Sequence, residues 1–193
     1  GLDTVSLHGS GEPTLSRDMP KYVKYIKSKN ITCISFTNGY RLNSDMAKGL
    51  IKAGIDVLRI SCIGYDRGSY AHWMSLDVFD EVRDNVKDFV DLNRQIGGTS
   101  EVHIHHLITD INKKDQEIES YRKNWSEYTG AKAEIWLMHN WAGSQIELGY
   151  HRETMIPALF DQRSCGRPFS PLLQVRAGGL EGHHAAVVAC CMV

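Results

Sequence analysis

The residues Ser10-Gly11-Glu12-Pro13 place one carboxylate in a tight turn just after the strand-like run Leu2-Asp3-Thr4-Val5-Ser6-Leu7. Gly9 and Gly11 have no Cβ, so backbone groups there can approach a ligand closely. Pro13 then fixes φ and stiffens the turn. Backbone carbonyls beside a carboxylate are acceptors suited to an ammonium group, so the stretch reads as a cradle for a small cation.

Two other sets of residues have the chemistry to form sites. His103 and His105 lie two apart and share one face of a strand. With a carboxylate nearby, such a pair can bind zinc and activate water. Its position on a late strand, with no HExxH partner, favours polar lining of a sheet's inner face, where His105 would face substrate. The five cysteines, at 33, 62, 165, 190 and 191, are odd in number and mostly far apart. They do not form a disulfide framework, which leaves metal ligation or burial. Cys33 and Cys62 read as core residues.

These side chains need a scaffold, and the sequence alternates regularly. A helix with Met19, Tyr22, Val23 and Ile26 on one face leads to a strand over 31–36, closed by the turn Thr37-Asn38-Gly39. Asn43 or Ser44 caps a second helix, which turns Met46, Ala47, Leu50 and Ile51 inward and ends at Gly54. A third strand spans 55–63. A longer helix, capped by Ser75, carries the stripe Phe79, Val82, Val86, Phe89 and Val90 and stops at Gly97-Gly98. A strand over 102–109, a helix marked by Ile118, Tyr121, Trp125 and Tyr128, and a strand over 133–138 complete the series.

Four successive β-helix-β crossovers imply an α/β fold with a parallel sheet, either doubly wound or a (β/α) barrel. Both bind ligands beyond the carboxyl ends of the strands. The candidate site residues are therefore those at 10–13, 37–39, 61–64, 107–112 and 138–141. Beyond about residue 142 the alternation fails, and 155–193 reads as the beginning of a smaller unit with loops around a short strand at 172–176. The chain starts without Met inside a strand pattern and stops in the apolar stretch 185–193. It is expected to be an internal segment of a longer protein.

With a net charge of −1 and 23% charged residues, nucleic acid and anionic membrane are not the expected partners. No apolar run reaches the ~20 residues of a membrane span, and no secretory signal opens the chain.

Ser10-Gly11-Glu12-Pro13 resembles the GGEP turn of radical S-adenosylmethionine (radical SAM) enzymes, with Ser for the first Gly. The motifs that follow keep that family's order: Thr37-Asn38-Gly39, then Lys52-Ala53-Gly54-Ile55-Asp56, then Leu58-Arg59-Ile60-Ser61-Cys62-Ile63-Gly64, then Leu107-Ile108-Thr109-Asp110-Ile111-Asn112. The likeness covers about residues 2–140. Cys165-Gly166-Arg167-Pro168-Phe169, followed by Leu173-Gln174-Val175-Arg176, a glycine stretch and Cys190-Cys191, is similar to the opening of a SPASM auxiliary-cluster domain.

The resemblance implies a partial (β/α) TIM-type barrel over 1–154, lacking its N-terminal strand and cluster loop, and a truncated, loop-rich Fe–S domain over 155–193. It implies that Ser10 and Gly11, with Glu12, hold the methionine amine of SAM. Thr37 and Asn38 would line the ribose side. Ser61 would reach the ribose or carboxylate, and the backbone around Leu137 would border the adenine. Cys165 and Cys190 would be the first ligands of an auxiliary [4Fe–4S] cluster, with Cys191 as alternative. The family's CxxxCxxC loop, which supplies three thiolates and leaves one iron open for SAM, occurs nowhere in the 193 residues. The cluster ligands are thus expected outside this segment, which alone would not cleave SAM. Ile63 stands where the family usually has Asp, and 70–74 replaces a segment that commonly contains Arg.

The implied activity is reductive cleavage of SAM to a 5′-deoxyadenosyl radical that takes hydrogen from a peptide or small-molecule substrate. A donor such as flavodoxin or ferredoxin would supply the electron, in the cytoplasm. The alternatives are a zinc-dependent hydrolase using His103 and His105, and a non-catalytic binding barrel.

Overall fold

A computed structural model describes residues 2–8 and 11–138, together with the backbone of residues 173–176 and 186–189. Five strands form one parallel sheet: β1 (Thr4–Leu7), β2 (Thr32–Thr37), β3 (Val57–Ser61), β4 (Glu101–Ile108) and β5 (Lys132–Leu137). Their order in space is their order in sequence. In a doubly wound sheet the order reverses at a switch point; here it does not. Right-handed crossovers taken always in the same direction put every helix on one face. The arrangement is a singly wound parallel α/β sheet.

The helices between the strands are α1 (Met19–Lys27), α2 (Ser44–Ala53), α3 (Arg67–Met74), α4 (Phe79–Gln95) and α5 (Lys114–Tyr121), the last running on as a π-helical turn over Arg122–Glu127. Asn43 caps α2 by accepting a hydrogen bond from the Met46 amide, and Gly54 ends it with φ +84°. The amphipathic stripes behave as their periodicity requires. Val23, Leu50, Val82, Val86 and Phe89 are fully buried against Leu58, Ile60 and Ile104 of the sheet. Each such aliphatic or aromatic side chain contributes roughly 1.5–3 kcal/mol by leaving water.

One helix boundary differs from the sequence reading. Ser75 does not cap the long helix; it ends α3, in the left-handed region at φ +57°, and α4 begins at Phe79. The extra helix, α3, starts in a capping box in which Asp66 accepts from the Ser69 amide and Ser69 Oγ accepts from the Asp66 amide. Only Tyr70 of α3 is buried, so no stripe marks the helix in sequence.

An aromatic cluster closes the core under β3 and β4. Trp125 is fully buried between Tyr70 (5.7 Å), Phe79 (5.2 Å) and Tyr121 (5.9 Å). Its indole N–H donates to the Gly64 carbonyl at 2.9 Å, which satisfies the one polar group this side chain brings inside. Gly64 has φ +125°, and a Cβ there would lie 2.3 Å from the Tyr70 Cα. The loop after β3 can therefore press onto α3 only with glycine at this position.

The chain divides into two compact units, Gly1–Tyr150 and His151–Val193. In the second, two strands, β6 (Leu173–Arg176) and β7 (Ala186–Ala189), pair antiparallel with Leu173 opposite Ala189. Among the described residues, no helix is long and apolar enough to cross a membrane.

Candidate functional site

At the carboxyl end of β1 and β2, Glu12 is the organising residue. Its Oε1 accepts from the Thr14 amide (2.9 Å), the Thr14 hydroxyl (2.6 Å) and the Thr37 hydroxyl (2.6 Å). Its Oε2 accepts from the Asn38 amide at 2.7 Å. A carboxylate oxygen offers about two lone pairs. Oε1 is therefore fully used, whereas among the described residues Oε2 accepts one hydrogen bond and keeps a second acceptor site. The turn of the first strand is in this way fastened to the turn of the second.

The Thr37 hydroxyl also accepts from the Gly39 amide at 3.1 Å, and Asn38 Oδ1 accepts from the Tyr40 amide at 3.0 Å. Gly39 lies at φ +77°, and a Cβ on it would meet Val82 at 3.0 Å and Ile60 at 3.1 Å. The Thr-Asn-Gly sequence is thus a turn with both side chains bonded to backbone. Gly11 differs: a Cβ on it would meet nothing of the described chain within 4 Å. Glu12 Oε2 and the Cβ-free backbone of Gly11 are groups that an ammonium ion could approach.

Ser61 ends β3, paired in register with His105, while Thr37 pairs with Ile60. Adjacent residues of a strand point to opposite faces, so Ser61 belongs to the face away from the helices and Thr37 to the helix side, where it is buried. Leu137 ends β5 opposite Ile108 and is partly exposed. The structure therefore joins Glu12, Thr37 and Asn38 directly, whereas Ser61 and Leu137 end β3 and β5, with β4 between them, and by register face opposite sides of the sheet. Ser10, Cys165 and Cys190 lie outside the described residues. Cys33 and Cys62 are buried, as the sequence reading has them. Burial holds the Cys62 thiol up at about 12, against a lesser opposing hydrogen bond with Tyr121.

The face opposite the helices holds a second constellation. Phe36, Arg59, Ser61, His103, His105, Glu134 and Trp136 share it through the strand registers. The His105 ring lies between Phe36 (5.8 Å) and Trp136 (4.8 Å), and the Arg59 guanidinium stands 5.4 Å over Phe36. His103 Nδ1 contacts Glu134 Oε1, and its Nε2 lies 3.1 Å from Glu101 Oε2. His105 Nε2 is 3.4 Å from Glu134 Oε2, yet it is buried and makes no hydrogen bond. Burial, with Arg59 and His103 adding to it, lowers the His105 pKa against the opposing pull of Glu134. Burial alone would raise the Glu134 carboxyl, but hydrogen bonding to His103 and the nearby His105 and Arg59 bring it below its ordinary value.

His106 turns to the helix side. Its Nδ1 accepts from the Gly64 amide (3.2 Å), its Nε2 lies 3.2 Å from Glu117 Oε2, and its ring stacks on Tyr121 at 4.6 Å. Glu117 itself is almost wholly buried and accepts from the Thr109 amide and hydroxyl and from the Asp110 amide, at 2.7–2.8 Å. Sequence reasoning missed Glu117, Glu134 and Arg59. The signal for Glu134 was its place on the strand adjacent to His105, which only the register makes visible.

No protein-family model matches the chain. Over 92 residues it is 34% identical to the probable GTP 3′,8-cyclase of Saccharolobus solfataricus, a match spanning 48% of this chain and 30% of that protein. It is 32% identical over 88 residues to the probable GTP 3′,8-cyclase of Metallosphaera sedula, covering 46% and 27%. The chain thus matches less than a third of the length of these relatives. Among solved structures, archaeal TYW1 aligns over 69% of this chain and 42% of its own at 19% identity, with a TM-score of 0.50. TYW1 with a lysine-pyruvate adduct bound aligns over 97% and 57% at 16% identity, with a TM-score of 0.53. The curated relatives match about half of this chain in sequence, and the two TYW1 structures share its fold.

Proposed function

We propose that residues 1–154 are the larger part of a radical SAM core, and that the turn at Glu12 holds the amino-acid end of SAM. The observation that carries this reading is the Glu12 latch. One carboxylate ties the turn at Glu12 to Thr37 and Asn38, and among the described residues its Oε2 accepts a single hydrogen bond, beside a Gly11 whose Cβ would meet nothing within 4 Å. In this reading the backbone at Ser10 and Gly11, with Glu12 Oε2, receives the methionine amine. Thr37 acts by positioning Glu12, Asn38 and Ser61 approach the ribose and carboxylate, and the strand end at Leu137 borders the adenine.

When bound beside a reduced [4Fe–4S] cluster, SAM supplies a 5′-deoxyadenosyl radical able to take hydrogen from a substrate. The cluster ligands belong to sequence outside these 193 residues. Residues 155–193 would begin a SPASM-like unit, with Cys165 and Cys190 as first ligands of an auxiliary cluster. The substrate is a peptide or small molecule, the electron donor a flavodoxin- or ferredoxin-type protein, and the compartment the cytoplasm.

The full-length protein, reconstituted anaerobically with iron and sulfide and reduced with dithionite, is expected to convert SAM to 5′-deoxyadenosine and methionine. Cluster-loaded protein that leaves SAM intact would overturn the proposal.

A further inference from the structure

We propose that His103, His105 and Glu134 form a binding site for a zinc-class divalent cation on the helix-free face of the sheet, with Glu101 orienting His103. The site is separate from the Glu12 turn and does not depend on the radical SAM reading. One nitrogen from each histidine and one oxygen of Glu134 all lie within 4.8 Å of one another. Two imidazoles and one carboxylate are a zinc-type donor set, and three protein ligands leave a position for water or a substrate atom.

Three features separate this cluster from an ordinary ion-pair network. First, His105 Nε2 is buried and lacks a hydrogen bond, although it faces Glu134 Oε2 at 3.4 Å. An unsatisfied buried ring nitrogen is costly, and a metal ion would satisfy it. Second, His103 directs Nδ1 to Glu134 and Nε2 to the Glu101 carboxylate. Histidines that bind a metal through one nitrogen typically donate the other N–H to a carboxylate, which fixes the ring. Third, the ligands stand on rigid strands: His103 and His105 two apart on β4, and Glu134 directly opposite His105 on β5.

The charge balance permits a dication. Glu134 and Glu101 supply two carboxylates beside the histidines. Among the described residues, the cations on the same face are Arg59 and Lys132, which are opposite His103 on the two flanking strands. Arg59 turns its guanidinium over Phe36.

The test loads the full-length protein with Zn²⁺ alone and measures the metal by mass spectrometry, its ligands by X-ray absorption at the zinc edge, and its affinity by competition with a chelator. Stoichiometric zinc in a nitrogen and oxygen shell that includes imidazole scattering is expected. Affinity should fall about 100-fold or more in His105→Ala and Glu134→Gln, and roughly 10–100-fold in Glu101→Gln, whose lost carboxylate lies behind the ligand. Glu101 is exposed, so that variant reports on the site even if a core variant fails to fold. Zinc held only through sulfur, no zinc retained, or an affinity unchanged in Glu101→Gln and in whichever ligand variants fold would overturn the proposal and leave the cluster as an ion-pair lining.

Discussion

Glu12 and Thr37 are 25 residues apart in sequence, yet the Thr37 hydroxyl donates to Glu12 Oε1 at 2.6 Å. This bond, with the Asn38 amide on Oε2, ties the turn that follows β1 to the exit of β2. Glu12→Gln keeps the shape but turns a carboxylate oxygen into an N–H₂ facing amide or hydroxyl donors. A loss of about 1–3 kcal/mol is expected in urea titrations. Thr37→Val should cost about 1 kcal/mol. The double variant should lose less than the sum, because the two side chains share one interaction.

Glu117 carries a different prediction. It is buried beside His106 and accepts from three donors at the end of β4. Glu117→Ala strands those donors and the His106 ring nitrogen, so stability should fall by about 3–5 kcal/mol. Lys87→Ala, which breaks an exposed ion pair with Asp91, should leave the urea midpoint unchanged.

Gly64→Ala should prevent folding at ordinary temperature. The added methyl would stand 2.3 Å from the Tyr70 backbone at φ +125°, and neither the loop nor α3 has a flexible side-chain end that could yield. Circular dichroism should show loss of the native melting transition.

Alkaline pH should weaken the fold through its buried acids. Burial pushes Cys62 from 9.0 to about 12 and Cys33 from 9.0 to about 11, and raises Tyr70 and Tyr121 as well. The unfolded chain then gives up protons before the folded one does. Stability is therefore whole below about pH 9 and falls as pH rises toward the folded-state values. Urea midpoints measured between about pH 8 and pH 11 should decline, and Cys62→Ala should flatten the decline.

What could be read from the sequence follows from the range of the interactions. The alternation of strands and helices is local, and Val82, Val86, Phe89 and Val90 revealed α4 by spacing alone. The helix start was misplaced because Phe79 has no side-chain cap before it, whereas Ser75, a good capping residue, serves instead as the left-handed end of α3. The His103–His105 pair was visible from its period of two. Its carboxylate was not, since residues 29 apart on parallel strands are matched by register, and Glu134 meets His105 only once β4 and β5 pair. The motif at Ser10–Pro13 suggested a cradle; that Glu12 also braces the next turn depends on tertiary packing.

The most direct measurement compares the affinity of the full-length protein for SAM and for an analogue lacking the amino group. If the turn at Glu12 receives the amine, SAM should bind at least about tenfold more tightly than the analogue, as a charged hydrogen bond requires, and Glu12→Gln should reduce that preference. Equal affinity for SAM and the analogue in the unmodified protein would contradict the assignment.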